Sequence, residues 1–398
     1  MKKLLILGGD HFAIPVVKAA QQQGYYTITC DYLPDNVAHK VSDEFANFST
    51  TDKEGILSFA RQRGIDGIVT FTDSGVVSTA YVQHHLGLPK IGPLKSVEIL
   101  QDKARFRQFL TDHGFNVPKA KGYQHYEDAA QDINHFRWPV IVKPVDSAGS
   151  KGVTRIDSPD MLQTAFSHAL QFSISKHVII EEFIEKSGCS SDSDCFSIDG
   201  KLVIATFSSQ RFDIAADNPY TPSGYSWPST FTKQQEAELT SEIQRLLTLL
   251  DMRTTVYNVE TRIGIDGKPY IMEVSPRGGG NRLSEMVRFM TGADMVTSAV
   301  RAAVGDSVFL QQSALNGYWA EIILHADTTG KFVELTINKD FKEKYIYETD
   351  LWVKAGAMVE SFTGANKSIG TLVLRFDKKE EMEHAMTHRR EWMKVVVS

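Results

Sequence analysis

Several classes of protein are excluded by what this 398-residue chain lacks. It has only three cysteines, Cys30, Cys189 and Cys195, with no CxxC pair, which excludes a disulfide framework or a cysteine-built zinc site and fits a reducing cytoplasm. Basic residues are not in excess: 43 Lys and Arg against 49 Asp and Glu give a net charge of −6. No stripe of charge is present for a nucleic-acid backbone, so nucleic acid is not an expected partner. No apolar run approaches the roughly 20 residues that span a bilayer, so no membrane partner is expected. The opening "MKKLLILGGDHFAIPVVKAA" has the charge-then-apolar order of a signal peptide, but Gly8, Gly9 and Asp10 cut the run short, and a buried first strand is the better reading. Neither GxGxxG nor a Walker A loop occurs. The "LGGD" segment is therefore a weak basis for nicotinamide or flavin binding.

What is present is an ordinary globular composition, 42% hydrophobic and 23% charged, in a chain long enough for several cores. Strand and helix patterns alternate from "KKLLILGG" through "IDGIVTF" to "VVSTAYVQHHLG", which predicts a doubly wound parallel-sheet domain, with His84 and His85 on a helix surface. A helix "SVEILQDKARFRQFLTDHG" follows, then strands at "WPVIVKPVD", "GVTRID" and "KHVIIEEFI". A hairpin turning at Asp199-Gly200 comes next, and then a polar, Pro- and Tyr-rich loop over 211 to 230. Thr232 and Gln235 form a capping box for the helix "KQQEAELTSEIQRLLTLLDM". The tail from about 316 mixes strands with a final helix.

The stretch "YNVETRIGIDGKPYIMEVSPRGGG", residues 257 to 280, carries the most chemistry. A two-residue loop at Asp266-Gly267 would set residues whose numbers sum to 533 opposite each other, and Glu260 and Glu273 satisfy that sum. Opposed Cβ atoms lie about 4.5–5.5 Å apart, where two negative charges repel. Tyr257, Val259, Met272 and Val274 alternate onto one apolar face, leaving Asn258, Glu260, Glu273, Ser275 and Arg277 on the other. Two carboxylates beside a neutral oxygen suit a hard divalent cation, Mg²⁺ or Mn²⁺. A solvated hairpin face is the competing reading. Upstream, Lys143 lies in the Val/Ile strand "VIVKP" and needs an anionic partner if buried. The loop Ser147-Ala148-Gly149-Ser150-Lys151-Gly152 is small enough for its backbone N–H groups to cradle an anion, although a flexible connection reads the same way.

In this order and spacing, Lys103 in "QDKARFRQFL", Lys143 in "VIVKP", the loop "SAGSKG", "VIIEEFI" and "NVETRIGIDGKPYIMEVSPR" together resemble the ATP-grasp superfamily of carboxylate–amine ligases over nearly the whole chain. The resemblance implies an α/β and α+β chain in four parts: a Rossmann-like pre-ATP-grasp domain over 1–95, a central subdomain with the glycine-rich lid over 96–183, a subdomain with the metal site over 184–310, and an α+β extension over 311–398. The two ATP-grasp subdomains clasp ATP in such proteins. It further implies that Lys103 and Lys143 hold the nucleotide phosphates under the lid of Ser147, Ala148, Gly149, Ser150, Lys151 and Gly152, with Lys143 and Lys151 near the chemistry. Glu181, Glu182, Phe183 and Ile184 correspond to the adenine linker, and Asp192 to the ribose acid, with Glu185 and Asp194 as alternatives. Glu260 and Glu273 match the metal ligands. The family usually has Asn where this chain has Ser275, so a second ion is held less directly. Arg277 matches the arginine that meets the reacting carboxylate, and Gly279 and Arg282 would line the acceptor site. Arg211, in a loop with Tyr220, Tyr225 and Trp227, is a candidate for a substrate carboxylate.

The resemblance implies a cytoplasmic enzyme that uses ATP and Mg²⁺ to activate a carboxylate as an acyl phosphate and then joins it to an amine. The alternative that the resemblance implies is activation of bicarbonate or formate, as in carbamoyl phosphate synthetase and purine-pathway relatives. A module that binds ATP without catalysis is the reading from another class. Small-molecule substrates are the expected partners, with a homodimer as the default assembly.

Overall fold

The computed structural model describes residues 1–398. Contacts gather them into two compact units, residues 1–121, 193–206 and 232–313 in the first and residues 122–192, 207–231 and 314–398 in the second.

The first unit opens with the expected parallel sheet. Strands Lys3–Leu7, Tyr26–Cys30, Glu44–Ala46 and Gly67–Thr70 stand in the spatial order third, second, first, fourth. Leu4 to Leu7 are fully buried, as a central strand covered on both faces requires. Leu5, Leu7, Ile28, Ile56, Ile68 and Val82 form the core beneath the helices, while His84 and His85 are exposed. The helix expected over "SVEILQDKARFRQFLTDHG" is in fact two, Leu94–Gln101 and Lys103–Asp112. Asp102 takes an extended conformation between them, and its carboxylate accepts hydrogen bonds from the N–H groups of Ala104 and Arg105. A short acid that caps competes with its own place inside a helix.

The first unit also holds a four-stranded sheet, in the order Lys201–Ala205, Ser191–Ile198, Thr255–Ile263, Pro269–Ser275. Its Asp199-Gly200 turn has both residues at positive φ, as a two-residue hairpin needs. The capping box closes reciprocally, Thr232 Oγ1 accepting from Gln235 N at 3.2 Å and Gln235 Oε1 from Thr232 N at 2.9 Å.

In the second unit, strand Val140–Pro144 pairs antiparallel with Thr154–Ile156 on one side and Val178–Glu182 on the other. Val140, Val142, Ile156, Phe166, Val178 and Ile180 build the core behind it. The stretch expected to be a loop over 211 to 230 instead contributes strands Ser209–Phe212 and Pro222–Trp227. They join Tyr318–Leu324, Gly370–Phe376 and Ile346–Leu351 in one five-stranded sheet. Its composition hid this, because Pro222 sits at the tolerated first position of its strand and the residues after it are buried on both faces, leaving no alternation to read. Tyr225 and Trp227 are core residues; Tyr220 is exposed. No helix is long and apolar enough to cross a membrane.

Candidate active site

In the first unit, Glu260 and Glu273 face each other across the hairpin, and Asn258 faces Ser275. The route to that opposition differs from the simple turn. Gly264 pairs with Lys268 around a three-residue loop, Ile265-Asp266-Gly267, with Gly267 in the left-handed region. On its own this longer loop would place Glu260 opposite Met272. A bulge at Met272 supplies one extra residue on the returning strand and restores the pairing of the two acids. Met272 therefore leaves the apolar face assigned to it, and Ile271, 3% exposed, takes the inward position. The bulged carbonyl accepts a 2.8 Å hydrogen bond from Arg107.

Each acid has a cationic neighbour. Lys103, on the first turn of its helix, lies with Nζ 3.4 Å from Glu273 Oε1, and Arg262 lies 3.9 Å from Glu260. Both glutamates remain partly exposed. A divalent cation fits this face: two carboxylates in register, accessible, beside a lysine suited to phosphate oxygens.

Ser275 and Arg277 follow on the same strand end. The Ser275 hydroxyl donates to Asp73 Oδ1 at 3.0 Å and accepts from Gln101 at 3.0 Å, so its oxygen serves protein partners. Arg277 grips Asp73 with two bonds, Nε to Oδ1 at 2.9 Å and Nη2 to Oδ2 at 2.7 Å. Burial alone would raise the Asp73 pKa, but the Arg277 guanidinium, the Ser275 hydroxyl and Lys103 outweigh it and hold the carboxyl below its usual value. The bidentate face of Arg277, suited to a substrate carboxylate, is thus matched here to a carboxylate of the chain itself.

The glycine run has two separate reasons to be glycine. A Cβ at Gly278 would sit 2.0 Å from the Phe71 ring, and one at Gly279 would meet Asp194, Asn258 and Leu283 at 2.6–2.7 Å. Gly279 N–H donates to both oxygens of Asp194 at 2.9 and 3.0 Å, and Ser284 donates its hydroxyl to the same carboxylate. Asp194 is fully buried, and burial pushes its pKa up despite these donors. It is a strut under the glycine run, which sets it apart from Asp192 and Glu185 as a ribose candidate. Asn281 and Arg282 both have positive φ, and Arg282 forms a two-point pair with Glu285 at 3.0 and 3.1 Å.

In the second unit, Lys143 does have an anionic partner. Its Nζ contacts Glu181, and both side chains are largely buried on one face of the paired strands. Glu182 accepts from Arg137 N at 2.9 Å, Phe183 N donates to Pro139 O at 3.0 Å beneath the Arg155 guanidinium, and Ile184 is buried. The loop Ser147 to Gly152 joins strands Val140–Pro144 and Thr154–Ile156. Gly149, Ser150 and Gly152 are left-handed, and Lys151 is exposed. Asp146, at its base, accepts from Ser173 Oγ and from Ile174 and Ser175 N, anchoring one end of the loop. Asp192 accepts from the Tyr225 hydroxyl at 3.3 Å, and Glu185 is exposed. Arg211 is not open to a ligand in the way expected: it bonds Ser226 and pairs with Glu383 at 2.7 Å.

The sequence reading missed Asp73, Gln101 and Arg262. Arg262 was within reach, since it alternates onto the acid face two residues after Glu260; the other two meet the site only through tertiary packing.

Comparison with known proteins gives a consistent picture. Residues 136–285 match the family described as ATP-grasp domain. The formate-dependent phosphoribosylglycinamide formyltransferase of Synechococcus sp. (strain WH7803) is 28% identical over 185 residues, covering 46% of this chain and 48% of that protein. The chain thus spans about half the length of the curated relatives it matches. Among solved structures, L-amino acid ligase from Bacillus licheniformis superposes with a TM-score of 0.84 at 18% identity, covering 100% of this chain and 99% of that one. Phosphoribosylglycinamide synthetase from Anaerococcus prevotii gives 0.78 at 18%, covering both chains completely. These likenesses establish the fold.

Proposed function

We propose, from the premise that residues 136–285 are an ATP-grasp domain, that this chain is an ATP-dependent ligase joining a carboxylate to an amine. The observation that carries the reading is the register of Glu260 against Glu273 with Lys103 beside them and Arg277 at the end of the same strand. Glu260 and Glu273 would hold Mg²⁺, which when bound neutralises charge on the nucleotide phosphates. Lys103 and Lys143 bind phosphate oxygens, as do Lys151 and the N–H groups of the 147–152 loop; the 181–184 segment and Asp192 serve adenine and ribose. Arg277 would orient the carboxylate of the substrate by exchanging its pair with Asp73 for that ligand. Gly279 and Arg282 would line the place of the amine.

The chemistry balances without a nucleophilic side chain. A carboxylate oxygen attacks the γ-phosphorus, the bond to the bridging oxygen breaks, and ADP leaves. The amine nitrogen then attacks the acyl carbon, loses a proton, and phosphate departs. The protein contributes positioning and fixed charge. The four segments 1–95, 96–183, 184–310 and 311–398 describe this working organisation, with a homodimer as the assembly.

ADP release over a panel of carboxylates with and without amines tests the reading. It is supported if turnover needs Mg²⁺ and both co-substrates, and it fails if no pair produces ADP. The formyltransferase similarity favours a second version with formate as the acid, and bicarbonate is the other small acid to try. ADP formation with either alone would select that version. Tight ATP binding with no turnover would select the non-catalytic module.

A further inference from the structure

A second cluster of charge lies in the second unit and shares none of the residues assigned above to ATP, metal or acceptor. His325, Asp327, Arg389, Arg390, Met393, Lys394 and Val395 line a cavity of about 250 Å³. Its floor is ordered by Asp213, 5% exposed, at the end of strand Ser209–Phe212. Arg390 reaches Asp213 with two nitrogens at 2.9 and 3.0 Å, and Arg389 contacts the same carboxylate. Two adjacent arginines are thereby fixed by one buried acid, so little side-chain freedom remains to be lost on binding a ligand.

Geometry also fixes the histidine. His325 Nδ1 lies 2.8 Å from the carbonyl oxygen of Ile323, which can only accept, so Nδ1 carries the hydrogen. Nε2 lies 2.9 Å from Arg389 Nη2 and 3.3 Å from Asp213 Oδ2, so the guanidinium and the carboxylate already surround it. That decides between two ligands. Asp213, His325 and Asp327 stand close enough together to suggest a cation site. A cation would need Nε2 and the Asp213 oxygens, all already engaged within the cluster, and would sit beside two positive charges. An anion meets a different situation, although Arg390 Nη2 also bonds Asp327 at 2.9 Å. Arg389, Arg390 and Lys394 bring three positive charges against the two negative ones of Asp213 and Asp327. Both bonds made by Arg389 use Nη2, which leaves Nε and Nη1 to donate.

We propose that this cavity is an oxyanion site, binding a phosphate or carboxylate group of a small molecule through Arg389, Arg390 and Lys394. Asp213 and His325 are positioning residues that hold the arginines and do not touch the ligand.

The test is calorimetric titration of the full chain with inorganic phosphate and, separately, with succinate. Ionic strength is matched with chloride, and saturating MgADP occupies the nucleotide-phosphate residues. Saturable binding of either anion is expected, with phosphate alone indicating a phosphoryl ligand and succinate alone a carboxylate one. R390Q should weaken it about tenfold, the size of one charge-assisted bond. Because R390Q also disturbs Asp213, K394Q is the companion: it should weaken binding without changing the melting temperature, while K201Q, in the other unit, should change neither. The proposal is overturned if neither anion saturates, if R390Q and K394Q bind like the parent, or if Mn²⁺ binds in a His325-dependent manner while the anions do not.

Discussion

Asp73 and the two hairpin glutamates show how differently carboxylates behave when they are matched and when they are left facing each other. Glu260 and Glu273 are opposed, and like charges in that position cost stability, on the order of 0.2–1 kcal/mol for a cross-strand pair. E273Q should therefore leave the melting temperature unchanged or slightly raised while reducing metal-dependent ADP formation at least about a hundredfold, the scale of one lost electrostatic contact at the reacting phosphates. Asp73 is the reverse case. D73N removes one partner of a largely buried two-point pair and should destabilise the fold by about 1–3 kcal/mol in urea, discounted from a fully buried pair because the Asp73 side chain is 27% exposed. Asp213 extends the argument to pH. Burial opposes its charge, but His325, Arg390 and Arg389 hold its pKa far below normal. A depressed folded-state pKa gives stability that is complete above the unfolded value of about 3.9 and is lost as pH falls toward the folded value. The melting-temperature gap between the parent and D213N should thus be constant from neutral pH to about 4.5 and narrow below about 3.9; a gap that already closes near pH 6 would contradict the assignment.

At the scale of elements, the break at Gln101–Asp102 places two site residues that one continuous helix would misdirect. Gln101 ends one helix and reaches Ser275, and Lys103 begins the next and reaches Glu273. D102A should cost about 1 kcal/mol through the lost cap, and D102N should recover most of it, as urea unfolding would show. Phosphate contacts made through Lys103 should weaken in parallel, raising the KM for ATP in D102A more than in D102N. The local elements were legible where their cause is local: the Asp199-Gly200 turn, the Thr232 capping box and the buried first strand all follow from a few adjacent residues. The acid hairpin was legible for a less secure reason. Its loop is one residue longer than the simple turn, and Met272 cancels the difference. The strand at Pro222–Trp227 was hidden because burial on both faces removes the alternation by which a strand is recognised, and Ser209–Phe212, two buried residues followed by two half-buried ones, does not alternate either. Asp73, reaching Arg277 across 204 positions of sequence, had no local signature at all.

For the whole molecule, the order of the segments matters as much as their content. The chain passes from one unit to the other at 121/122, 192/193, 206/207, 231/232 and 313/314. A fragment ending at residue 313 would retain strand Pro222–Trp227 but lose Tyr318–Leu324, its hydrogen-bonded neighbour, together with the core of Leu324, Leu372, Leu374 and Phe376. Such a fragment should expose apolar surface, seen as dye binding and precipitation on expression, and should not yield a folded first unit free of the second. The same interleaving bears on how this protein can exchange parts with its relatives. A chimera made at a single junction leaves at least one unit, and at the three middle boundaries both, with residues from two parents. Transplanting one unit whole takes all five junctions, so variation should be inherited through point changes and loop insertions more readily than through shuffled halves.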